Sequence, residues 1–455
     1  MIRYITILII LVLQSCVGQA QSLDGTWAGL LDFGSQKLKF VTHLTQENGH
    51  WSAKADSPDQ GAYGIPFEIQ MKGDSVILKN KQGISLELVK DSSGKLSGHF
   101  KQNGVRIPVV LTRNNQLQNN KIQIKRSQSI IPPYSYDTLE VNIPNNLGKV
   151  NLSGTITQPK GNGVHPAVIL ITGSGPQDRD ETLFGHKPFK VLADYLTRHG
   201  IIVLRYDERG VGKSSGVYEN ATIEDFSKDA VTVFNYLKQQ KNVDPNKIGI
   251  IGHSEGGLIA NLLAGQGLPH LSFIVSLAGP TISIRDLMVE QLYTVGKAEG
   301  LSEIQLKAAR EVNQRNFDIV KSNLNTDDAF EQLKKNMSMF VGSSSNTAME
   351  QEMLMMLTPA YRYFLRIEPQ SFIEKIHIPV FGAFGTLDVQ VPSTLNLRGY
   401  YDNLPKNSKS VLKEYDGMNH LFQRAKTGKV AEYAHIEETM NEQVLKDIAD
   451  WINSL

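Results

Sequence analysis

The sequence predicts an α/β protein: a mostly parallel sheet covered by helices on both faces, carrying a helical insertion and preceded by a small all-β module. Three observations carry that expectation. Beyond residue 137, short near-continuous apolar runs alternate with amphipathic helical stretches, the pattern of a parallel sheet buried on both faces. Between Thr281 and Ile376 the alternation stops and helical periodicity takes over. Before residue 114, short alternating runs are separated by Gly, Asn, Asp and Ser, as in antiparallel hairpins.

A chain of 455 residues allows two or three domains when one is a large α/β unit. With 47 basic against 46 acidic residues and no long basic stripe, nucleic acid is not an expected partner. Forty per cent hydrophobic residues, 38 Gly and 18 Pro are ordinary globular composition. The N-terminus reads differently. Met1-Ile2-Arg3 is a short basic start, and Tyr4 to Leu13 is apolar but too short for a permanent membrane span. Residues 1–20 therefore read as a secretory signal peptide, with Gly18 and Ala20 as small residues before a cleavage point. A second route is open: Leu13-Gln14-Ser15-Cys16 resembles a bacterial lipobox. Either route exports the protein, to the periplasm, the extracellular space or a lipid anchor, and membrane contact is expected only through a lipid on Cys16. One cysteine leaves no disulfide within the chain.

Residues 23–113 form the β-rich module. Lys37 to Leu44 and Phe67 to Met71 alternate, and Ser75 to Leu78, Ser85 to Leu88 and Val105 to Leu111 are further strands, with Lys72-Gly73-Asp74 and Ser92 to Lys95 as turns. Seven or so strands make a small barrel or sandwich. Gly25-Thr26-Trp27 resembles the opening of lipocalin-type barrels, and Trp27 and Trp51 are expected to pack in the module. Residues 114–136, rich in Asn, Gln and Ser and containing Pro132-Pro133, read as a linker.

The α/β unit is expected over 137–455. Leu139 to Ile143 and Val150 to Thr157 lead in as a hairpin. Core strands follow at Ala167 to Ile171, Ile201 to Leu204, Ile248 to Ile251, Phe273 to Leu277, Pro379 to Phe384 and Ser410 to Tyr415, with helices at Phe189 to His199 and Thr222 to Gln240. A cap about residues 281–376 holds helices at Ile304 to Val320, Asp327 to Met339 and Thr347 to Leu357. The Met349 to Met356 run is either an adaptable acyl-chain wall or ordinary helical core. A last helix, about Glu438 to Asn453, sets Val444, Ile448, Trp451 and Ile452 on one face.

The chemistry centres on Ile248 to Gly257, where a strand ends in Gly252-His253-Ser254-Glu255-Gly256 and a buried helix follows. In that context Gly-x-Ser-x-Gly is a nucleophile elbow: a strained turn lifts Ser254 clear of the sheet, at the N-terminus of a helix. A serine hydroxyl needs a base, and the base needs a third group to fix its tautomer. In sheets of this type both should follow the serine, acid first, in loops beyond strand ends. Asp388 and His420 fit. His186 and His199 precede the serine strand; His270, His377 and His435 lie before a strand or on a helix; His253 should point away from the reaction. Asp402, Asp416 and Glu374 are fallback acids that read better as surface charges. The oxyanion hole should take the Glu255 amide and one from Thr172 to Asp178, Ser174 first and Gly175 second. Gln177 and Asp178 shape that loop, and Glu255's carboxylate complements the helix dipole. Gly212-Lys213-Ser214 resembles the end of a phosphate loop, but the leading glycine would fall on Asp207, so no nucleotide is expected. No cofactor is expected, and no His, Cys or carboxylate cluster has metal-ligand spacing.

Gly-His-Ser-Glu-Gly-Gly, Thr-Gly-Ser-Gly-Pro-Gln-Asp-Arg-Asp and Asp-Glu-Arg-Gly-Val-Gly-Lys-Ser together are similar to bacterial secreted carboxylesterases of the α/β-hydrolase superfamily, related to prolyl-oligopeptidase and dienelactone-hydrolase-type enzymes. The resemblance implies Ser254, Asp388 and His420 as a triad, a helical cap, and hydrolysis of small-molecule esters with short acyl groups. Thr172 stands where many members have histidine. Two other functions stay in view. A prolyl-oligopeptidase-like peptidase is disfavoured because the β module shows no blade repeat. A non-catalytic glycan- or lipid-binding protein would use the β module instead.

Overall fold

The computed structural model describes residues 23–455 apart from 33–36, 48, 59–61, 81–82, 103–104, 114–125, 220 and 342–346. The signal peptide, Cys16 and most of the expected linker lie outside the described residues.

The N-terminal module is a closed antiparallel barrel of eight strands in sequence order. They are β1 (Gly25–Asp32), β2 (Lys37–Glu47), β3 (His50–Ser57), β4 (Ala62–Lys72), β5 (Ser75–Lys79), β6 (Ser85–Lys90), β7 (Leu96–Gln102) and β8 (Val105–Arg113). Closure comes from β1 pairing with β8, Trp27 opposite Arg113. Alternate residues point inward, and Trp27, Leu44, Leu78, Leu86, Phe100 and Leu111 fill the interior. A barrel of this strand number has room for side chains and little else. Trp27 is 1% exposed and Trp51 packs against the same core, as expected.

The second sheet also has eight strands, in the order β16-β15-β14-β13-β11-β12-β10-β9. β9 (Asp137–Asn145) and β10 (Val150–Gln158) form the antiparallel hairpin at one edge. β11 (His165–Ile171), β12 (Ile202–Tyr206), β13 (Val243–His253), β14 (Leu271–Leu277), β15 (Val380–Gly385) and β16 (Val411–Tyr415) run parallel. This is the α/β-hydrolase arrangement. α1 (Pro188–Arg198), α2 (Ile223–Lys238) and α3 (Glu255–Gly265) are the first crossover helices. α2 starts on a capping box: Thr222 accepts the Asp225 amide at 3.4 Å, and Asp225 accepts the Thr222 amide at 2.9 Å.

Between β14 and β15 the chain builds the helical insertion: α4 (Ile284–Ala298), α5 (Glu303–Lys321), α6 (Thr326–Val341), α7 (Thr347–Met356), α8 (Pro359–Leu365) and α9 (Gln370–Ile373). α10 (Ser393–Asn403), α11 (Val430–Tyr433) and α12 (Glu442–Ser454) complete the fold. α12 buries Val444, Ile448, Trp451 and Ile452, and the Trp451 ring packs edge-on to Phe273. Its start is four residues later than the sequence pattern predicts because Asn441 caps it, accepting the Gln443 amide at 3.0 Å.

Two departures bear on the site. Residues 126–136 are docked rather than spanning free space: the Arg126 guanidinium donates to the carbonyls of Phe184 (2.6 Å), Ala434 (2.9 Å) and Ile436, and Gln128 accepts the Thr439 and Met440 amides at 2.6 and 3.0 Å. The barrel, in turn, touches the insertion. The Arg106 amide on β8 donates to Gln351 Oε1 on α7 at 2.9 Å.

Candidate active site

Strand register assembles the site. β11 and β13 pair with Ile169 opposite Ile250 and Ile171 opposite Gly252. His253-Ser254 therefore leave β13 beside the point where Thr172-Gly173-Ser174 leave β11, next to the crevice where open α/β sheets hold their ligands. Ser254 adopts φ +52°, ψ −116°, and its amide donates to the Leu277 carbonyl at 2.8 Å. Such a backbone costs a non-glycine residue on the order of 1–3 kcal/mol and persists only where its surroundings enforce it. They do so through glycines. A Cβ on Gly252 would stand 2.0 Å from the Gly256 carbonyl oxygen, and one on Gly256 would stand 2.0 Å from that of Ile171.

β15 and β16 bring in the partners. Gly385 lies opposite Tyr415, so the two loops that follow run together, tied by the Leu387 amide donating to the Met418 carbonyl at 2.9 Å. Asp388 Oδ2 lies 2.7 Å from His420 Nδ1, while Asp388 Oδ1 accepts the Gln390 and Val391 amides, both at 2.8 Å. Three contacts thus fix the carboxylate, and Asp388 and His420 are both buried. With Nδ1 facing Asp388, Nε2 is the nitrogen left for a reacting group. Ser254 and His420 line the same cavity; among the described residues no hydrogen bond joins them, the loose geometry common before substrate binds.

The fallback acids stay outside. Asp402 pairs with Arg398 at 3.1 Å, Asp416 accepts from Thr386 at 3.3 Å, and both pairs are exposed. His186 is buried between Thr439 and the Tyr433 carbonyl, where burial pulls its pKa down to about 4. The phosphate-loop look-alike is filled by its own strand: the Lys213 amide and the Ser214 hydroxyl both bond Asp207, at 2.9 and 2.7 Å.

In the loop after β11, Ser174 lines the cavity together with Glu255. Neither amide donates to a backbone acceptor among the described residues. Gly175 is not among the residues lining the cavity, and its amide faces the Tyr218 phenol. Asp178 shapes the loop, accepting the Asp180 and Thr182 amides at 3.0 Å each. Gln177 lines the cavity, and its Nε2 reaches the Ser174 carbonyl at 3.4 Å.

Sequence reasoning missed three carboxyl roles here. Glu181, at φ +53°, turns its carboxylate inward to accept the Gly173 amide at 2.7 Å and to face His253 Nδ1 at 2.9 Å through the same oxygen. Glu208 accepts the Thr172 hydroxyl at 2.6 Å and the Gln177 amide at 3.0 Å, and burial pushes its pKa up to about 8. Burial also raises the Glu255 carboxyl to about 7, partly offset by the Ser174 hydroxyl donating to it at 3.3 Å. Its side chain is thus a titrating group in the cavity rather than a simple helix-dipole charge. The left-handed Glu181 is a feature no spacing rule reveals.

The cavity in front of Ser254 holds about 1060 Å³ and is roofed by the insertion. Leu287 and Met288 of α4, Phe317 of α5, Leu333 and Met337 of α6, and Met349, Met353, Met355 and Met356 of α7 line it. The methionine run is therefore both wall and core, since Met353 also belongs to the main hydrophobic cluster. Among the described residues, no group of three or more His, Cys, Asp or Glu side chains is arranged to hold a metal ion.

Residues 148–418, more than half of the chain, match the X-Pro dipeptidyl-peptidase (S15) family. The chain belongs to that family. Among curated proteins, this S15 member is similar to esterase EstD of Thermotoga maritima, 25% identical over 459 residues that cover 93% of this chain and 97% of that one. Similar solved structures include Est1E of Butyrivibrio proteoclasticus with ferulic acid bound (16% identity, TM-score 0.41, covering 69% of this chain and 96% of the other). The α/β hydrolase GrgF of a Penicillium species is another (16% identity, TM-score 0.44, 71% and 99% covered).

Proposed function

We propose that this S15-family protein is a serine carboxylesterase. The observation that carries the reading is the 2.7 Å contact of Asp388 with His420 at a cavity that also holds the strained Ser254. Ser254 Oγ attacks the ester carbonyl while His420 Nε2 takes its proton. Asp388 holds the imidazole in the tautomer that leaves Nε2 free to accept, and stabilises the imidazolium. The Ser174 and Glu255 amides receive the oxyanion, aided by the N-terminal end of α3. His420 then protonates the departing alcohol. Water, activated by the same histidine, releases the acid and restores Ser254.

The likeness to EstD over nearly the whole chain, barrel included, supports ester hydrolysis. The family description favours a second reading, cleavage of peptides after an X-Pro pair. Measuring kcat/KM on 4-nitrophenyl acetate beside a panel of X-Pro anilides separates them. The esterase reading expects efficient ester turnover and little or none of the amide; a preference for the anilides overturns it. The glycan- or lipid-binding reading draws no support from the barrel, whose interior is filled by its own side chains.

Export completes the proposal, carried by the basic-then-apolar run of residues 1–20. Sequencing the N-terminus of the mature protein tests it. A start at Gln21 indicates the cleaved signal, a lipid-blocked Cys16 the anchored form, and an intact Met1 contradicts both.

A further inference from the structure

The cavity is much larger than a short acyl group needs. At about 1060 Å³ it lies at the upper end of the range that encloses whole drug-sized ligands, and an acetyl group would leave most of it to water. Its wall away from Ser254 is apolar and deformable: Met288, Met337, Met353, Met356, Leu333 and Phe317 all face it. Unbranched thioether side chains adapt to apolar ligands of varied shape. The charged lining is one-sided. Glu181, Glu219, Glu255 and Glu352 contribute carboxyl groups, and among the described residues no lysine or arginine lines the cavity. Glu181 is paired with His253 inside, whereas Glu219 and Glu352 are exposed, at the mouth.

We propose that this site prefers esters of uncharged, apolar acyl groups of medium length, longer than butyryl, and discriminates against acyl groups that end in a carboxylate. The proposal rests on the esterase reading and specifies its substrate class. Short acyl esters enter the same cavity, but each further methylene buried against the methionine wall stabilises the bound transition state by an increment that acetate cannot gain. A terminal carboxylate would instead meet carboxyl groups with no lysine or arginine among the described residues to receive it, the His253 ring being already paired with Glu181.

The test is a kcat/KM series with the full-length mature protein on 4-nitrophenyl acetate, butyrate, octanoate and dodecanoate, with Ser254→Ala as background. A rise of roughly threefold per methylene, up to octanoate, is the expected scale for full burial. On a matched pair, 4-nitrophenyl 4-methylpentanoate should exceed the monosuccinate of the same shape by about tenfold. In Met356→Trp, and independently in Met337→Trp, the added bulk should lower the ratio of octanoate to acetate kcat/KM. Acetate as the best substrate, a flat series, or equal rates on the matched pair overturns the proposal yet leaves the esterase reading standing, provided Ser254→Ala is inactive. Failure of the wild type to cleave any ester sinks both.

Discussion

His253 Nε2 donates to the backbone carbonyl of His420 across 2.9 Å, while its Nδ1 faces Glu181 Oε1, also at 2.9 Å. Both ring nitrogens meet oxygen acceptors, so the buried ring is satisfied only with both protons on. Burial opposes that charge, but the Glu181 carboxylate outweighs it and raises the His253 pKa. One imidazolium thus ties together the loop after β11, the elbow after β13 and the histidine loop after β16. It sits one residue before Ser254 and holds His420 by its backbone carbonyl.

Removing the anion should loosen all three loops. In Glu181→Ala, His253 and the Gly173 amide lose their acceptor, and breaking a buried pair of this kind costs roughly 3–5 kcal/mol. We expect a lowered Tm and a fall in kcat of about tenfold or more with a smaller change in KM, because the base and oxyanion loops are displaced. Glu181→Gln, which keeps an acceptor for Gly173, should recover part of the stability. Unchanged kcat in a folded Glu181→Ala protein contradicts the positioning role.

Stability should fall as pH rises through neutrality. Glu208 titrates near 8 in the fold against 4.5 for an unperturbed glutamate, so between those values the folded state binds the proton and the unfolded state does not. The stability this provides is fully present below about 4.5 and is lost as pH rises through 8, over a span on the order of a few kcal/mol. Glu208→Gln stays neutral, and its amide oxygen can still accept a hydrogen bond where the carboxyl accepts the Thr172 hydroxyl or the Gln177 amide. Its Tm should therefore vary less with pH than that of the wild type. Parallel Tm–pH curves for the two proteins would rule the mechanism out.

Glu255 should shape the pH profile of activity. Its carboxyl titrates near 7 beside the amide expected to receive the oxyanion, so above neutrality a negative charge opposes the one developing in the reaction. Glu255→Gln should match the wild type below pH 6 and exceed it by roughly threefold above pH 8. A variant-to-wild-type ratio of kcat/KM that does not move with pH contradicts this account.

The barrel should reach the acyl cavity through α7. Gln351 accepts the Arg106 amide on one side of that helix, and Met349, Met353 and Met356 line the cavity from it. Gln351→Ala removes one hydrogen bond, on the order of 1 kcal/mol. We expect KM for octanoate to rise about twofold to fivefold with acetate kinetics unaltered. Equal changes on both esters would show that the contact acts on the chemistry rather than on the wall.

Much of this was legible in the sequence where local pattern and chemistry coincide. Ser254, Asp388 and His420 each follow an apolar strand, and the parallel sheet converts that shared position into proximity. The strands β3 and β7 were not legible: His50-Trp51-Ser52-Ala53 and Leu96-Ser97-Gly98-His99 carry few large apolar residues, and their inward sets count only beside their neighbours. Glu181 and Glu208 lie 73 and 46 residues before Ser254 and acquire their roles through long-range hydrogen bonds that no periodicity encodes. The docking of residues 126–136 was hidden for a similar reason, since a polar, proline-containing stretch reads as a linker until Arg126 finds its carbonyls.

The central claim is that Ser254 is an activated nucleophile, and covalent labelling by a fluorophosphonate tests it most directly. The wild-type protein should take up one label, located by mass spectrometry on the peptide containing Ser254, while Ser254→Ala takes up none and His420→Ala labels far more slowly. An unlabelled wild type, or equal labelling of Ser254→Ala, contradicts the account.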